Sequence, residues 1–465
     1  MTLQKTTTGI KPAILGGPGT LEDNAQALAR ALYRGDINES QIREIPPQSL
    51  YFALKHLGLD SSPEVLDSVS QVQYQALLDF EFWTKDSFRE DRLWGWLSAV
   101  DDPTNLVPMQ RFLQIIDPDI LALIAKRYIE VVYHEEKDDP PPGPSFYSPD
   151  KGATWISFKT HDPERHRLLG KIFAFLFQTN QDIYYQLLLH AHSATSVEFE
   201  EQAYRERSRR LSNQFIPHME EASTFNSSLG IDRVKELMLQ VSKADNAIDH
   251  AGNYPVIPLF NRGVSFQPLI SILEQISDER LYIVQSELSK ILNGAIVFFV
   301  GDFAEEISLK LTSEQVFGAI NIAFQLLLEN EPEMNMGKIM EEFPLTPIYQ
   351  LGLGELYRLR KTAQRVPEDV LSTLRHMNEA ISIIIETLRR PFPGLPAFYR
   401  EDGTFEISEN KMSVEQKAIS SLLELRLVEE MLEKQVYQKF AEIRSYEKQS
   451  QKHSAIKDGV TKNMQ

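Results

Sequence analysis

The sequence predicts a predominantly all-α fold of stacked helical hairpins in superhelical repeats, with one or two small β-hairpin inserts and a long C-terminal helix. Prolines recur at the start of amphipathic stretches in the N-terminal third. A proline in the first turn of a helix loses no hydrogen bond and presets the helical φ angle. Apolar residues then follow at i, i+3, i+4 and i+7, which gives each short helix one stripe that neighbouring helices must bury.

The chain is predicted to open with an irregular leader and a first helix over residues 1–40. A helical-repeat domain follows over residues 41–135. The predicted helix starts in that domain are Pro46-Pro47, Pro63, Pro103 or Pro108, and Pro118. Short polar or glycine breaks separate these stretches, so stacking of adjacent helices is the expected packing.

This region resembles known helical repeats. The segment IPPQSLYFALKHLGLDSSPEVLDSVSQVQYQALLDFEFWTKDSF, followed by RFLQIIDPDILALIAKRYIEVV, is similar to the cytosolic N-terminal repeats of MgtE-type magnesium transporters. It resembles more closely an uncharacterised, domain-of-unknown-function family of bacterial all-helical proteins. That second resemblance continues through EEQAYRERSRRL, residues Glu200–Leu211, and implies no known activity. The sequence predicts no membrane domain, so the first resemblance does not imply transport.

The remaining chain divides into three predicted parts. Residues 136–160 form a proline-rich loop and a β-hairpin insert, Ser145–Lys159. A central helical domain covers residues 161–390. Residues 391–465 hold a second hairpin, Phe398–Ile407, then a long helix and a disordered tail.

The long C-terminal helix is predicted to run from Ser413 to about Tyr446, because Ser413 and Gln416 form a capping box. Its apolar residues lie along one stripe. The stripe either packs on the body of the protein or forms a coiled-coil seam, through which the chain would form an oligomer.

The composition excludes several classes of protein. The chain of 465 residues has 48 Lys+Arg and 66 Asp+Glu, a net charge of −18, so a nucleic-acid partner is not expected. It has no cysteine, which excludes disulfides and thiolate metal sites. The apolar runs are shorter than the roughly 18–20 residues that span a bilayer, and no signal sequence is evident. We therefore expect a cytoplasmic protein without an integral membrane segment.

Histidines and acidic runs give no clear metal site. His190 and His192 would lie on nearly opposite faces of one helix, so they cannot bind one ion together. Asp162 is more typical of a helix cap than of a ligand that acts with His161 and His166. The run His134–Asp139 lacks the spacing of a calcium loop and is interpreted as a solvated loop.

Catalytic and cofactor motifs are also lacking. Gly16–Thr20 has no Gly-Lys-Ser/Thr ending, and Gly352–Gly354 has no third glycine, so both are interpreted as turns. The nucleophile-elbow and zinc-protease motifs do not occur. The sequence therefore predicts no catalytic residue, no metal ligand and no cofactor.

The candidate binding residues are aromatic and basic. Phe80, Phe82, Trp83, Phe88, Trp94 and Trp96 are interpreted mainly as core. Trp83, next to Lys85, and Trp96 are the predicted exposed exceptions, which could contact a partner as anchors. Arg205 and Arg209 are the candidate binding arginines of a basic patch that also includes Arg207 and Arg210. Interleaved glutamates make a solvated, salt-bridged helix face the favoured interpretation, and a phosphate site the alternative.

Three functions follow as hypotheses. The favoured one is a protein–protein interaction scaffold or adaptor that binds a protein of unknown identity. The second is a sensor of a divalent cation or small ligand, with carboxylates among Asp101, Asp102 and residues 135–139 as candidate ligands. The third is an enzyme with a site assembled from distant residues such as Glu200, Arg205, Arg209 and a histidine.

Overall fold

We describe the protein from a computed structural model of the chain. The structure describes residues 21–58, 63–133, 142–193, 195–241, 268–377, 379–400, 403–404 and 415–434. About 70% of it is helical, and its strands form only two-stranded sheets. The predicted all-α class with small β inserts is therefore confirmed.

Prolines start the early helices, as predicted. Pro47, Pro63 and Pro118 are each the first helical residue, and Pro108 is the second residue of its helix. Asn38 and Ser70 are the N-cap residues of capping boxes at two other helix starts. These helices are α1 Leu21–Arg34, α2 Glu39–Glu44, α3 Pro47–Leu57, α4 Pro63–Ser68, α5 Gln71–Glu81, α6 Glu90–Val100, α7 Val107–Ile115 and α8 Pro118–Tyr128.

The later part of the chain is also mainly helical, and a π-helix directly continues one of these helices. They are α9 Pro163–Thr179, α10 Gln181–Ser193, α11 Ser196–Ser212, α12 Met219–Phe225, α13 Ile231–Val241, α14 Leu269–Leu273, α15 Asp278–Ala295, the π-helix Ile296–Val300, α16 Glu306–Asn330, α17 Met336–Glu342, α18 Leu345–Gln364, α19 Glu368–Met377, α20 Glu379–Leu388 and α21 Leu422–Met431.

The strands pair in three antiparallel sheets, β1 Trp83–Thr84 with β2 Ser87–Phe88, β3 Ile129–Tyr133 with β4 Thr154–Phe158, and β5 Leu395–Pro396 with β6 Gln416–Lys417. The insert predicted over Ser145–Lys159 is only partly a local hairpin. Tyr147 forms a single bridge with Ile156, while β4 pairs along its length with β3, Val131 opposite Ile156. The β-branched residues directly after α8 supply a longer partner strand than residues 145–149 do.

The capping box predicted that the C-terminal helix begins at Ser413, and this prediction is wrong. Gln416 and Lys417 lie in β6, and α21 begins at Leu422, where the Ser421 side chain accepts a hydrogen bond from the Glu424 N–H. The stripe beyond Lys434 lies outside the described residues, as do the predicted leader and half of the predicted hairpin Phe398–Ile407.

Apolar side chains form two clusters. The first extends from Ala29 to Ile216 and also includes Ile296, Phe303 and Leu309. The second extends from Val234 to Leu432. Residues of the second half of the chain therefore enter the first cluster at the π-helix, which is where the candidate site lies.

Two long helices have the length and composition to cross a membrane, Glu279–Val300 and Ile307–Asn330. Of their most apolar windows, 56% and 78% respectively are buried inside the protein. Buried core helices of soluble proteins pass the same test, so this is weak evidence for membrane insertion.

Gly352 and Gly354 do not form the predicted turn, because both lie inside α18. Gly352 is the contact point of α18 with α16: a Cβ atom added there would lie 1.7 Å from the carbonyl oxygen of Ala319. The glycine serves close helix packing.

Candidate functional site

The two predicted exposed tryptophans are buried. Trp83 is 0% exposed and Trp96 is 1% exposed, so the expectation that they reach the surface is wrong. Trp83 packs edge-to-face on Phe88 in the β1–β2 hairpin, and the Trp96 indole N–H donates to the Tyr74 hydroxyl at 3.3 Å. Successive side chains of the short strand β1 point to opposite faces, and Trp83 is on the face that packs into the core. The whole aromatic group is core.

Helix α11 divides its arginines between two environments. Arg205 and Arg209 lie in solvent, where they pair with Glu201 and Glu206 one helical turn away, as the solvated-face interpretation predicted. Glu200 lies elsewhere, bound to Arg127 at 2.8 Å, so these residues do not converge on an enzyme site.

Arg207 and Arg210 point inward, against the solvated-face interpretation. Arg207 follows Phe199 and Ala203 in the buried stripe of α11, at a spacing of four residues. A helix turns about 100° per residue, so residues four apart share a face. That spacing was the available signal that Arg207 belongs to the interior.

Arg210 neutralises two buried carboxylates. It binds Asp79 with two nitrogens, each at 2.8 Å, and Asp117 at 2.8 Å. The Asp79 and Asp117 side chains are 2% and 3% exposed. This three-residue group joins α5, α8 and α11, and it leaves Arg207 without a carboxylate of its own.

Arg207 borders a small cleft. Tyr204, Arg207 and Ser208 form the α11 side, at helical spacing. His218 and the π-helix turn complete the walls, and Lys85 of the β1–β2 turn stands at the rim. The cleft encloses about 30 Å³ and opens to solvent. One water molecule needs about 10–15 Å³, so a small ion or several waters fit. We call it the Arg207 cleft.

The guanidinium of Arg207 is held from one side only. Its Nε donates to the carbonyl oxygen of Asp79 at 2.8 Å, and it stacks on the Trp83 ring, 5.7 Å from the centroid. Within the described residues its two Nη atoms have no acceptor, yet they are not among the fully enclosed polar atoms. Each Nη atom therefore keeps some contact with solvent, and Arg207 is one of the residues that line the cleft. Burial lowers the pKa of Arg207 to about 10, so the group stays charged at neutral pH.

Lys85 adds a second positive charge to the cleft. It is exposed and has a left-handed φ of 56°. No carboxylate of the described residues pairs with its ammonium group. Its backbone N–H donates to the carbonyl oxygen of Gly301 at 2.5 Å, which fixes the turn against the other wall.

An ion pair beside the cleft anchors that wall. Asp302 accepts two hydrogen bonds from Arg92, at 2.9 and 2.7 Å, and one from the Thr84 hydroxyl at 2.9 Å. Burial disfavours the charged carboxylate. The hydrogen bonds outweigh that effect and hold the pKa of Asp302 below its ordinary value.

The metal candidates that lie within the described residues do not converge. Asp101 pairs with Arg167 and Lys171, and Asp162 caps α9 by accepting the Glu164 N–H at 2.9 Å. In the ranges that the structure describes, no three His, Asp or Glu side chains gather around one point. Residues 134–139 and Gly16–Thr20 lie outside those ranges.

Comparison with known proteins identifies the family. The chain belongs to the Family of unknown function (DUF6178), which matches residues 23–457. No curated protein and no solved structure matches the chain. The resemblance to transporter repeats and the bacterial origin stay predictions.

Proposed function

We propose that this member of a family of unknown function is a regulatory protein that binds a small oxyanion in the Arg207 cleft. This is the small-ligand alternative from the sequence, with an anion in place of a cation. One observation carries it: Arg207 is 6% exposed, it lines a cleft that Lys85 also borders, and its two Nη atoms have no acceptor among the described residues.

A buried charge is costly unless it is paired and hydrogen-bonded. Asp79 is already bound by Arg210 through both carboxylate oxygens, so it compensates Arg207 only in part. A guanidinium presents its N–H groups in a planar fork that matches carboxylate and phosphate oxygens. An oxyanion would therefore supply the acceptors that Arg207 lacks.

The other groups at the cleft suit the same ligand. The hydroxyls of Tyr204 and Ser208 can donate to an oxyanion, and the Lys85 ammonium can pair with it. The enclosed space of about 30 Å³ favours an ion of the size of phosphate over a large organic molecule. The net charge of −18 repels anions at long range, so affinity depends on these local contacts.

Phosphate is expected to stabilise the protein against heat. At ten times an assumed Kd of about 1 mM, binding adds about 1.4 kcal/mol to the free energy of unfolding. The melting temperature is measured in phosphate and in sodium chloride of equal ionic strength. We expect the phosphate-specific rise to disappear in Lys85→Gln and Arg207→Gln.

Arg205→Gln is the matched control, because Arg205 lies two residues from Arg207 on the solvent side of α11. It should keep the full rise. Lys85 is exposed, so its variant tests the site without disturbing the core. Equal melting temperatures of the wild type in phosphate and chloride would refute the proposal.

The interaction scaffold is the second candidate, supported by a different surface. Val72, Leu106 and Val107 are 66%, 55% and 53% exposed. Val107 and Gln71 border a groove of about 370 Å³ between α5 and α7. The only cation of the groove, among the described residues, is Arg111, which donates to the carbonyl of Leu66 at 2.6 Å. The groove therefore offers apolar contacts and neutral amides, which suit the uncharged face of an amphipathic helix of a partner protein.

Substitution of this surface should release such a partner. In affinity capture from the native host, we expect one stoichiometric protein with the wild type and its loss with Leu106→Asp/Val107→Asp. Ile307→Asp is the control, because Ile307 is 82% exposed on another helix. Capture that survives the double substitution, or is lost equally with Ile307→Asp, would contradict the scaffold.

A further inference from the structure

The Arg207 cleft lies where two distant parts of the chain meet. Arg207 and Lys85 lie on α11 and the β1–β2 turn, whereas Val297 and Gly301 on the facing wall come from the π-helix and its C-terminal turn, more than 80 residues later in the chain. A ligand in this cleft would touch both parts at once.

The facing wall belongs to a connector between the clusters. Ala295 at the end of α15 is in the second cluster, and Ile296, the next residue, is in the first. Leu309 is still in the first cluster, and Val316 is again in the second. Ile296, Phe303 and Leu309 therefore lie in the first cluster although residues before and after them lie in the second, and we call residues 296–309 the connector. π-Helical turns occur frequently at functional sites.

The connector packs closely against the β1–β2 turn, and no space remains for a side chain at Gly301. Gly301 has a φ of 71°, and a Cβ atom there would lie 2.2 Å from Cγ of Lys85. The Lys85 N–H to Gly301 carbonyl bond closes this contact. The ion pair between Arg92 and Asp302 supports it from the next residue.

We propose that the bound oxyanion regulates the attachment of the connector to the first cluster, and so couples the two halves of the chain. This rests on the proposed function. An anion in the cleft would attract the charges of both Arg207 and Lys85, which line it. An anion that orders the Lys85 side chain also orders the turn whose N–H holds Gly301. Ligand binding then stabilises a contact between the halves.

Hydrogen–deuterium exchange of the full chain tests this inference. With phosphate at ten times its measured Kd, exchange of amides in residues 296–305 and 83–88 should slow by about tenfold relative to chloride of equal ionic strength. Amides of α20, in the second cluster, should exchange at an unchanged rate. In Lys85→Gln the tenfold effect should vanish.

The two proposals fail in different ways. Phosphate that binds without slowing exchange in residues 296–305 would overturn the coupling and leave the binding function intact. Phosphate that does not bind, measured by dialysis on the same sample, would overturn both. Equal slowing throughout the chain, α20 included, would also contradict a local role for the connector.

Discussion

Arg210→Ala is expected to lower the free energy of unfolding by about 3–5 kcal/mol, because it leaves two buried carboxylates without their cation. Asp79 and Asp117 are almost fully enclosed, and Arg210 donates to both. Urea unfolding followed by tryptophan fluorescence measures the change. All four tryptophans, Trp83, Trp94, Trp96 and Trp155, lie in the first half of the chain, as this group does.

Arg209→Ala is the matched control. Arg209 is the preceding residue, its side chain is 76% exposed, and its pair with Glu206 is a solvated contact within one helix. Such pairs contribute about 0.3–0.5 kcal/mol. Similar losses in the two variants would show that the Asp79–Arg210–Asp117 group is not the buried structural element described above.

The loss of unfolding free energy in Arg210→Ala should also depend on pH. Burial raises the pKa of Asp79 above its ordinary value, and removal of Arg210 takes away hydrogen bonds that lower it. A raised pKa in the folded state means that the folded protein takes up the proton first, so stability falls as pH rises. The loss is expected to be smaller at pH 5 than at pH 8.

Gly352→Ala is expected to lower the free energy of unfolding by about 3 kcal/mol or more. The added methyl would lie 1.7 Å from the Ala319 carbonyl oxygen and 2.5 Å from its carbon, both backbone atoms of α16. Backbone cannot move aside as a side chain can, so the two helices must separate. Thermal unfolding monitored by circular dichroism at the helical band measures the loss.

Gly95→Ala gives the opposite expectation for a helical glycine. Gly95 is exposed in α6, and a Cβ atom there meets nothing within 4 Å. Alanine in an exposed helix interior is more stable than glycine by about 0.5–1 kcal/mol. Loss of stability in Gly95→Ala equal to that in Gly352→Ala would show that helix packing at Gly352 is not the cause.

Local signals predicted the elements that short-range physics determines. Prolines marked the starts of α3, α4 and α8, and the aromatic group of residues 80–96 proved to be core. The same reasoning failed where distant residues compete. Ser413 looked like a cap, but residues 416–417 pair with β5, and Ser421 caps the helix instead.

The candidate site was only partly accessible from sequence. The sequence indicates Lys85 as the neighbour of an exposed Trp83, but Lys85 lines the cleft and the buried Trp83 ring stacks on Arg207. The sequence also groups Arg207 with solvated arginines, although its place in the buried stripe of α11 distinguishes it from them. Gly301 carries no sequence motif. It reaches the cleft only because the connector packs into the first cluster. There Gly301 contacts Lys85, which is more than 200 residues away in the sequence.

Equilibrium dialysis with radiolabelled phosphate measures whether the Arg207 cleft binds an oxyanion. We expect one phosphate bound per wild-type chain, one per chain in Arg205→Gln, and little or none in Lys85→Gln and Arg207→Gln. No bound phosphate in the wild type, or equal binding by all four proteins, would contradict an oxyanion site in the Arg207 cleft.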